Sequence, residues 1–247
     1  PLIFLATADE ESSMMGAQAL AEAGKPKARY ALIGEPTGMK PISMHKGIMV
    51  EKLIIEGRSG HSSDPSLGVN AMETLHEVLG ELLTLRNELR DNYHNPLFTV
   101  AYPTMNLGCI HGGNNPNRIC GQCELGFEIR PLPGMDMGKL QQTIRERIMP
   151  YEQKNGVSIS LNHYNVPAYS AAPDSKLAKI CETLTNHTSE AVSFATEAPY
   201  LSQLGMDVMV LGPGNIEQAH QPDEYLALDR IKPTVNFLSQ LISRCCL

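Results

Sequence analysis

The sequence predicts an α/β layer built from both ends of the chain and interrupted by an inserted α+β domain of ferredoxin-like order. Three observations carry this expectation. Near both ends, apolar runs alternate with amphipathic stretches at strand–helix–strand spacing, which favours parallel pairing in an α/β layer. The middle reads β-α-β-β-α-β, the order of a ferredoxin-like unit. A length of 247 residues accommodates two domains of ordinary size. The expected boundaries are 1–45 for the first part of the α/β domain, 46–165 for the insert and 166–247 for the second part.

Taken in order, the apolar run Leu2–Ala6 reads as a buried strand ending on the acidic row Asp9-Glu10-Glu11. Ser12 and Ser13 offer caps for a helix running to about Ala23, with Gly24 closing it. A short strand, Tyr30 to Ile33, ends in Gly34-Glu35-Pro36-Thr37. In the insert, residues 48–57 read as a strand and GRSGHSSDPSLGV as a polar loop. Asn70-Ala71-Met72-Glu73 resembles a capping box, followed by the helical stripe Leu75, Val78, Leu79, Leu82, Leu89. Strands at 98–110 and 119–130 flank a Gly/Asn loop. The turn RPLPGMD leads to a helix over 137–149, and a strand from Val157 to His163 closes the insert. Beyond Val166 the pattern predicts helix 174–187, strand 191–194, a helical turn at 199–204, strand 207–211 and a last helix over 230–245.

Composition excludes several function classes. The net charge is −7 and no Lys/Arg cluster interrupts it, which argues against a nucleic-acid partner. No apolar run approaches the roughly 18 residues of a membrane span, and the opening lacks a basic segment and a cleavage site. These features suit a cytoplasmic protein with no membrane partner. A start at proline inside an apolar run, without Met, reads as a piece of a longer chain. Of the six cysteines, Cys120 and Cys123 invite a zinc or redox reading. Cys123, Leu125, Phe127 and Ile129 alternate with polar or small residues as in a strand. A strand beginning at Ile119 puts positions 120 and 123 on opposite faces, so no shared metal is expected unless a bulge intervenes. Unpaired thiols suit a reducing compartment.

Glu10 and Glu11 follow one predicted strand, Glu35 the next, and His220 the strand that ends in LGPGNIEQAHQPDE. Open α/β sheets collect ligands beyond the carboxyl ends of their parallel strands. Carboxylates and imidazole are donors that zinc or another divalent metal accepts, and crowding like charges without a cation is costly. Each residue alone has a plainer reading. The acidic row suits a helix dipole, Glu35 a loop beside a proline, and His220 the surface. His61 suits a solvated loop, and Arg130 an ion-pair ladder with Glu124 and Glu128.

Together, TADEES, LIGEPTG, HKG, RSGHSSDPSLGVNA, IHGGNNPNRIC, EIRPLPG and GPGNIEQAHQPDEYL resemble the dizinc deacylase and exopeptidase superfamily. Within it they are most similar to the bacterial acetylornithine deacetylases, over the whole 247 residues. The resemblance implies a dimeric hydrolase with a metallohydrolase catalytic domain and an inserted lid used for dimerisation. It implies two divalent metal ions, zinc or cobalt, and a small N-acyl amino acid as substrate. The implied reaction releases acetate from N-acetyl-L-ornithine in arginine biosynthesis. Carried over by motif, Glu10 is the general base, Glu11 and His220 are ligands of one metal, and Glu35 of the other. His61 would reach the partner subunit's site to stabilise the oxyanion. Asn117 and Arg130 would hold the substrate's α-carboxylate, while Thr196 and Asn215 would bind its polar atoms. Glu197 would face ornithine's cationic end. A related metallo-deacylase or dipeptidase stays open, as does a non-catalytic dimerising piece. A serine hydrolase using Ser62 or Ser63 with His61 fails, because near-adjacent residues cannot place nucleophile and base.

One departure matters. The family also needs a His-x-Asp pair and a bridging Asp ahead of the acidic row, and none of the eight histidines is followed two places later by Asp. The chain is therefore expected to lack the bridge and a ligand of each metal, and to be inactive by itself.

Overall fold

A computed structural model of the chain describes residues 1–246. They divide into two compact units, Gly47–Pro167 and the remainder on either side of it. In chain order the outer unit opens with α1 (Met15–Ala23), β1 (Tyr30–Ile33) and β2 (Ile42–His45). The inner unit holds β3 (Ile48–Glu56), α2 (Ala71–Asn92), β4 (Thr104–Gly112), β5 (Gln122–Arg130), α3 (Met137–Ile148), α4 (Pro150–Asn155) and β6 (Ser158–Val166). The outer unit resumes with β7 (Tyr169–Ser170), α5 (Lys176–Thr185), β8 (Glu190–Val192), α6 (Ala198–Gln203), β9 (Asp207–Val210) and α7 (Ile231–Cys246).

In the outer unit β9 lies between β1 and β2, parallel to the first and antiparallel to the second. Alternation along β9 supplies two apolar faces. Val208 and Val210 pack with Ile42, Tyr169, Ala198 and Leu201. Met209 and Leu211 pack with Leu177, Cys181, Phe237 and Leu241. The result is a sheet with helices on both sides. Ser175 caps α5 by accepting from the Ala178 N–H at 2.9 Å, and its hydroxyl donates to Asp207 at the start of β9 at 2.6 Å.

The inner unit is the expected ferredoxin-like arrangement, an antiparallel sheet in the order β4-β5-β3-β6. Met49, Leu53 and Ile55 of β3 face the helices, where Leu75, Val78, Leu82 and Leu85 of α2 meet Leu140, Ile144 and Ile148 of α3. Register matches like with like, Leu53 lying opposite Leu125 on one side and Leu161 on the other. Asn70 caps α2, accepting from the Met72 N–H at 3.1 Å, and its amide donates to Glu73. Glu51 is the exception on the inner face of β3, a carboxylate only 2% exposed among apolar side chains.

Several expectations are corrected. Leu2–Ala6 forms no strand, and Phe4 is 93% exposed. A strand exists only by bonding to a neighbour, and none of the described strands pairs with this run. Ser12 and Ser13 do not cap α1. Its N-cap is Met14, and the amides of Ser12, Ser13 and Met14 converge on the carbonyl of Asp9 at 3.2, 2.9 and 2.7 Å. The acidic row is thus a turn around Asp9, whose φ is 61°. The segment 98–103 is loop, with Asn95 N–H donating to the Ala101 carbonyl at 2.7 Å; the strand starts only after Pro103. Residues 119–121 are tied instead to the 57–60 loop, so β5 begins at Gln122. The short β2, β7 and α4 have no separate sequence signal, α4 being a new helix begun by Pro150.

Candidate functional site

Strands β1 and β9 run parallel and end together, and the Leu211 N–H extends their pairing by donating to the Ile33 carbonyl at 2.8 Å. The loops that leave this edge are laced to each other. Gly38 N–H donates to the Gly214 carbonyl at 2.6 Å, and Met39 N–H to the Gly212 carbonyl at 3.0 Å. Gly212 N–H donates to the Thr37 hydroxyl at 3.2 Å. The fit leaves no room at Gly212, where a Cβ would stand 2.5 Å from the Glu35 carbonyl oxygen. Local chain geometry thus fixes Glu35 beside the loop that runs on to His220.

Electrostatics join these loops to the acidic row. Burial, and then Glu10, Glu11 and Glu197, push the Glu35 carboxyl up to about 7. Glu10 is also raised, by burial, Glu11 and Glu197, against the opposing influence of His220. His220, with φ 63°, brings Nε2 within 3.7 Å of Glu11 Oε2, both side chains being largely exposed. Glu10, Glu11, Glu35, Glu197 and His220 therefore share one field in the outer unit. Glu197 is nearly buried, and its Oε1 has no hydrogen-bond partner among the described residues. Thr196 is fully buried, its hydroxyl accepting from the Ala198 N–H at 3.1 Å. Asn215 is exposed and bridged to Thr37.

Carboxylates with an imidazole are the donor types a divalent metal takes. Burial first, and like charges second, raise the carboxyls of Glu35 and Glu10, and a cation would relieve the second cause. Among the described residues, however, no group of three or more His, Cys, Asp or Glu converges closely enough to hold an ion alone. Glu11 and His220, 3.7 Å apart, are two donors of the types such a metal accepts.

The remaining predicted residues lie in the inner unit. His61 and Arg118 form an isolated bridge, and Ser62 N–H donates to the Asn117 carbonyl at 3.0 Å, so the loops bearing His61 and Asn117 adjoin. His61 Nδ1 lies 2.7 Å from the Ser63 hydroxyl, which fixes the imidazole from one side. Arg130 is elsewhere. It ends β5, the strand that begins just after the Asn117 loop, and stands about 26 Å from the strand's first residue at ordinary strand rise. Its guanidinium forks onto Glu128, with Nε to Oε1 at 2.7 Å. Glu124 pairs instead with Lys52 at 2.8 Å. Within one chain, Asn117 and Arg130 cannot grip the same carboxylate.

The expectation that Cys120 and Cys123 face opposite ways is overturned. Because β5 starts at Gln122, strand alternation does not reach position 120, and the Cys120 and Cys123 sulfurs meet at 3.4 Å.

The peptidase dimerisation domain matches residues 43–155. Residues 43–155 thus belong to the peptidase dimerisation domain family. An acetylornithine deacetylase of Pectobacterium carotovorum is 49% identical over 100% of this chain and 64% of its own length. One from Klebsiella pneumoniae is 47% identical at the same coverage. The chain thus spans about 64% of the length of the curated relatives it matches. Among solved structures, aminopeptidase PepT from Bacillus cereus superposes with a TM-score of 0.75 at 18% identity, over 98% of this chain and 63% of that one. The di-peptidase Dug1p from Saccharomyces cerevisiae does so with 0.66 at 13%, over 94% and 63%. These two likenesses show the fold, an α/β domain interrupted by the ferredoxin-like insert.

Proposed function

We propose that this chain supplies the greater part of a metal-dependent amidohydrolase that splits N-acetyl-L-ornithine into acetate and L-ornithine. The electrostatic coupling of Glu10, Glu11, Glu35 and His220, in the acidic turn and the loops after β1 and β9, carries the reading. End-to-end similarity to acetylornithine deacetylases supports the substrate. Glu11, Glu35 and His220 would hold the metals, zinc or cobalt, whose bound state supplies Lewis-acid activation of the amide and of water. Glu10, its carboxyl raised by burial and by Glu11 and Glu197, takes a proton from the attacking water and returns it to the departing amine. His61 donates to the developing oxyanion, and Thr196 and Asn215 line the polar end of the substrate. Glu197, nearly buried with an unpartnered oxygen, would receive the ornithine ammonium.

The distance along β5 supports a division of labour in the lid. Asn117 and His61 would act in the site of a second subunit, while Arg130 would act in another, which requires a homodimer through the 43–155 domain. The metal shell would be completed by the part of the relatives' length that this chain does not span. Cytoplasmic arginine biosynthesis is the setting this activity suits.

The test uses protein of the relatives' full length, loaded with zinc or cobalt and offered acetylornithine and a set of dipeptides. Acetylornithine should be the preferred substrate, and Glu35→Ala and His220→Ala should each lose bound metal by elemental analysis. Preference for a dipeptide would replace the deacetylase with a peptidase. Hydrolysis of neither would leave a dimerising protein.

A further inference from the structure

Cys120 and Cys123 are both buried, and their sulfurs lie 3.4 Å apart. This contact is built by the backbone around it. Gly121 turns the chain where a Cβ would stand 2.4 Å from the Ser59 hydroxyl. Gly112, opposite Cys123 across the sheet, vacates the space that the Cys123 sulfur fills, since a Cβ there would lie 2.5 Å from it. The Cys120 thiol donates to the Gln122 carbonyl at 3.2 Å, which holds it on the Cys123 side. Cys120 also sits at a junction. Its carbonyl accepts from Ala71 N–H, at the first residue of α2, at 2.9 Å. Its neighbours bond the opposite loop, Ile119 N–H to the Gly60 carbonyl and Gly57 N–H to the Gly121 carbonyl, each at 2.9 Å.

We propose that Cys120 and Cys123 are a reversible dithiol–disulfide couple, oxidised by low-molecular-weight disulfides, whose closure clamps the junction between the 57–63 loop, the 113–121 loop and the start of α2. Cys120, the more exposed of the two, loses its proton and attacks one sulfur of the small disulfide. That S–S bond breaks, and the departing thiolate takes the proton. Cys123 then gives up its proton and attacks the Cys120 sulfur, expelling the second small thiol. Two S–H bonds have become one S–S bond, and the small disulfide has been reduced by two electrons to two thiols. Burial holds the Cys123 thiol up to about 12, so the second step is slow at neutral pH and quickens as pH rises. Closing so short a loop removes little entropy from the unfolded chain, so the bond acts locally and not as a global staple.

The experiment incubates the folded chain with graded ratios of oxidised to reduced glutathione. Samples are quenched in acid, unfolded, alkylated, digested and mapped by mass. The peptide holding both cysteines should lose two hydrogens and take up no alkyl group, and reduced glutathione should reverse this. Cys123→Ser should stop at a glutathione adduct on Cys120. In the oxidised chain, amide exchange at Ala71 and Ile119 should slow by about threefold or more. Two alkylated cysteines at every ratio, or a glutathione adduct that persists on wild-type Cys120, would overturn the couple. A disulfide that leaves both exchange rates unchanged would overturn the clamp.

Discussion

Replacing Glu51 by Gln should flatten part of the chain's stability profile against pH. Glu51 sits on the helix-covered face of β3, opposite Phe127 and His163 in the neighbouring strands. Burial raises its carboxyl from 4.5 to about 7, although hydrogen bonding from Gln141 and the charge of Arg145 pull the other way. Because the folded value is the higher one, the folded state holds the proton more tightly. The associated stability is complete below 4.5 and is lost as pH rises through about 7. A rise of about 2.5 units at 1.36 kcal/mol each amounts to roughly 3 kcal/mol. Gln keeps the shape and cannot ionise, so the wild type should weaken relative to Glu51→Gln by about that amount between pH 4.5 and 8. Urea unfolding of both proteins at four pH values measures the difference, with equal m values showing that the unfolded states match. Profiles that stay parallel within about 0.5 kcal/mol would refute the burial argument.

Three further outcomes are expected. His45 is fully buried and its imidazole is held down at about 4, so stability present above 6.5 should drain away as pH falls toward 4. His45→Phe should remove that acid-side slope in the same unfolding assay. Gly212→Ala should cost about 1–3 kcal/mol, because the added carbon meets the Glu35 carbonyl, and an unchanged denaturation midpoint would contradict the tight fit. In full-length protein, Asn117→Ala and Arg130→Ala should each abolish most acetylornithine hydrolysis. Mixing and re-forming the two variants as dimers should restore roughly a quarter of the activity, because half the dimers then carry one intact composite site. No restoration would place both residues in one subunit's site.

The inner unit was the more legible half. Its helices announce themselves through Asn70 and the leucine stripe, and its strands through alternation, so element order and pairing followed from local pattern. What sequence periodicity missed was set by distant partners. Leu2–Ala6 looks like any core strand, yet no described strand pairs with it. Residues 119–121 look like the start of β5, yet their hydrogen bonds go to the 57–60 loop, and that exchange brings the two cysteines together. Glu35 and His220 were readable together because β1 and β9 end at one edge, whereas the acidic row joins them from a turn and not from a strand end. The separation of Arg130 from Asn117 follows from the strand expected over 119–130, which they flank, although the motif resemblance assigned them to one carboxylate.

The hydrogen bonds between Thr37, Met39 and Gly212 have a consequence for anyone who would re-engineer this protein. The segment with Glu35 and the one leading to His220 are mechanically a single plate, although more than 170 positions separate them in the chain. Transplanting either from a homologue by itself would tear three seams at once. Exchanged as a matched set, they should carry their mutual spacing with them into a new host.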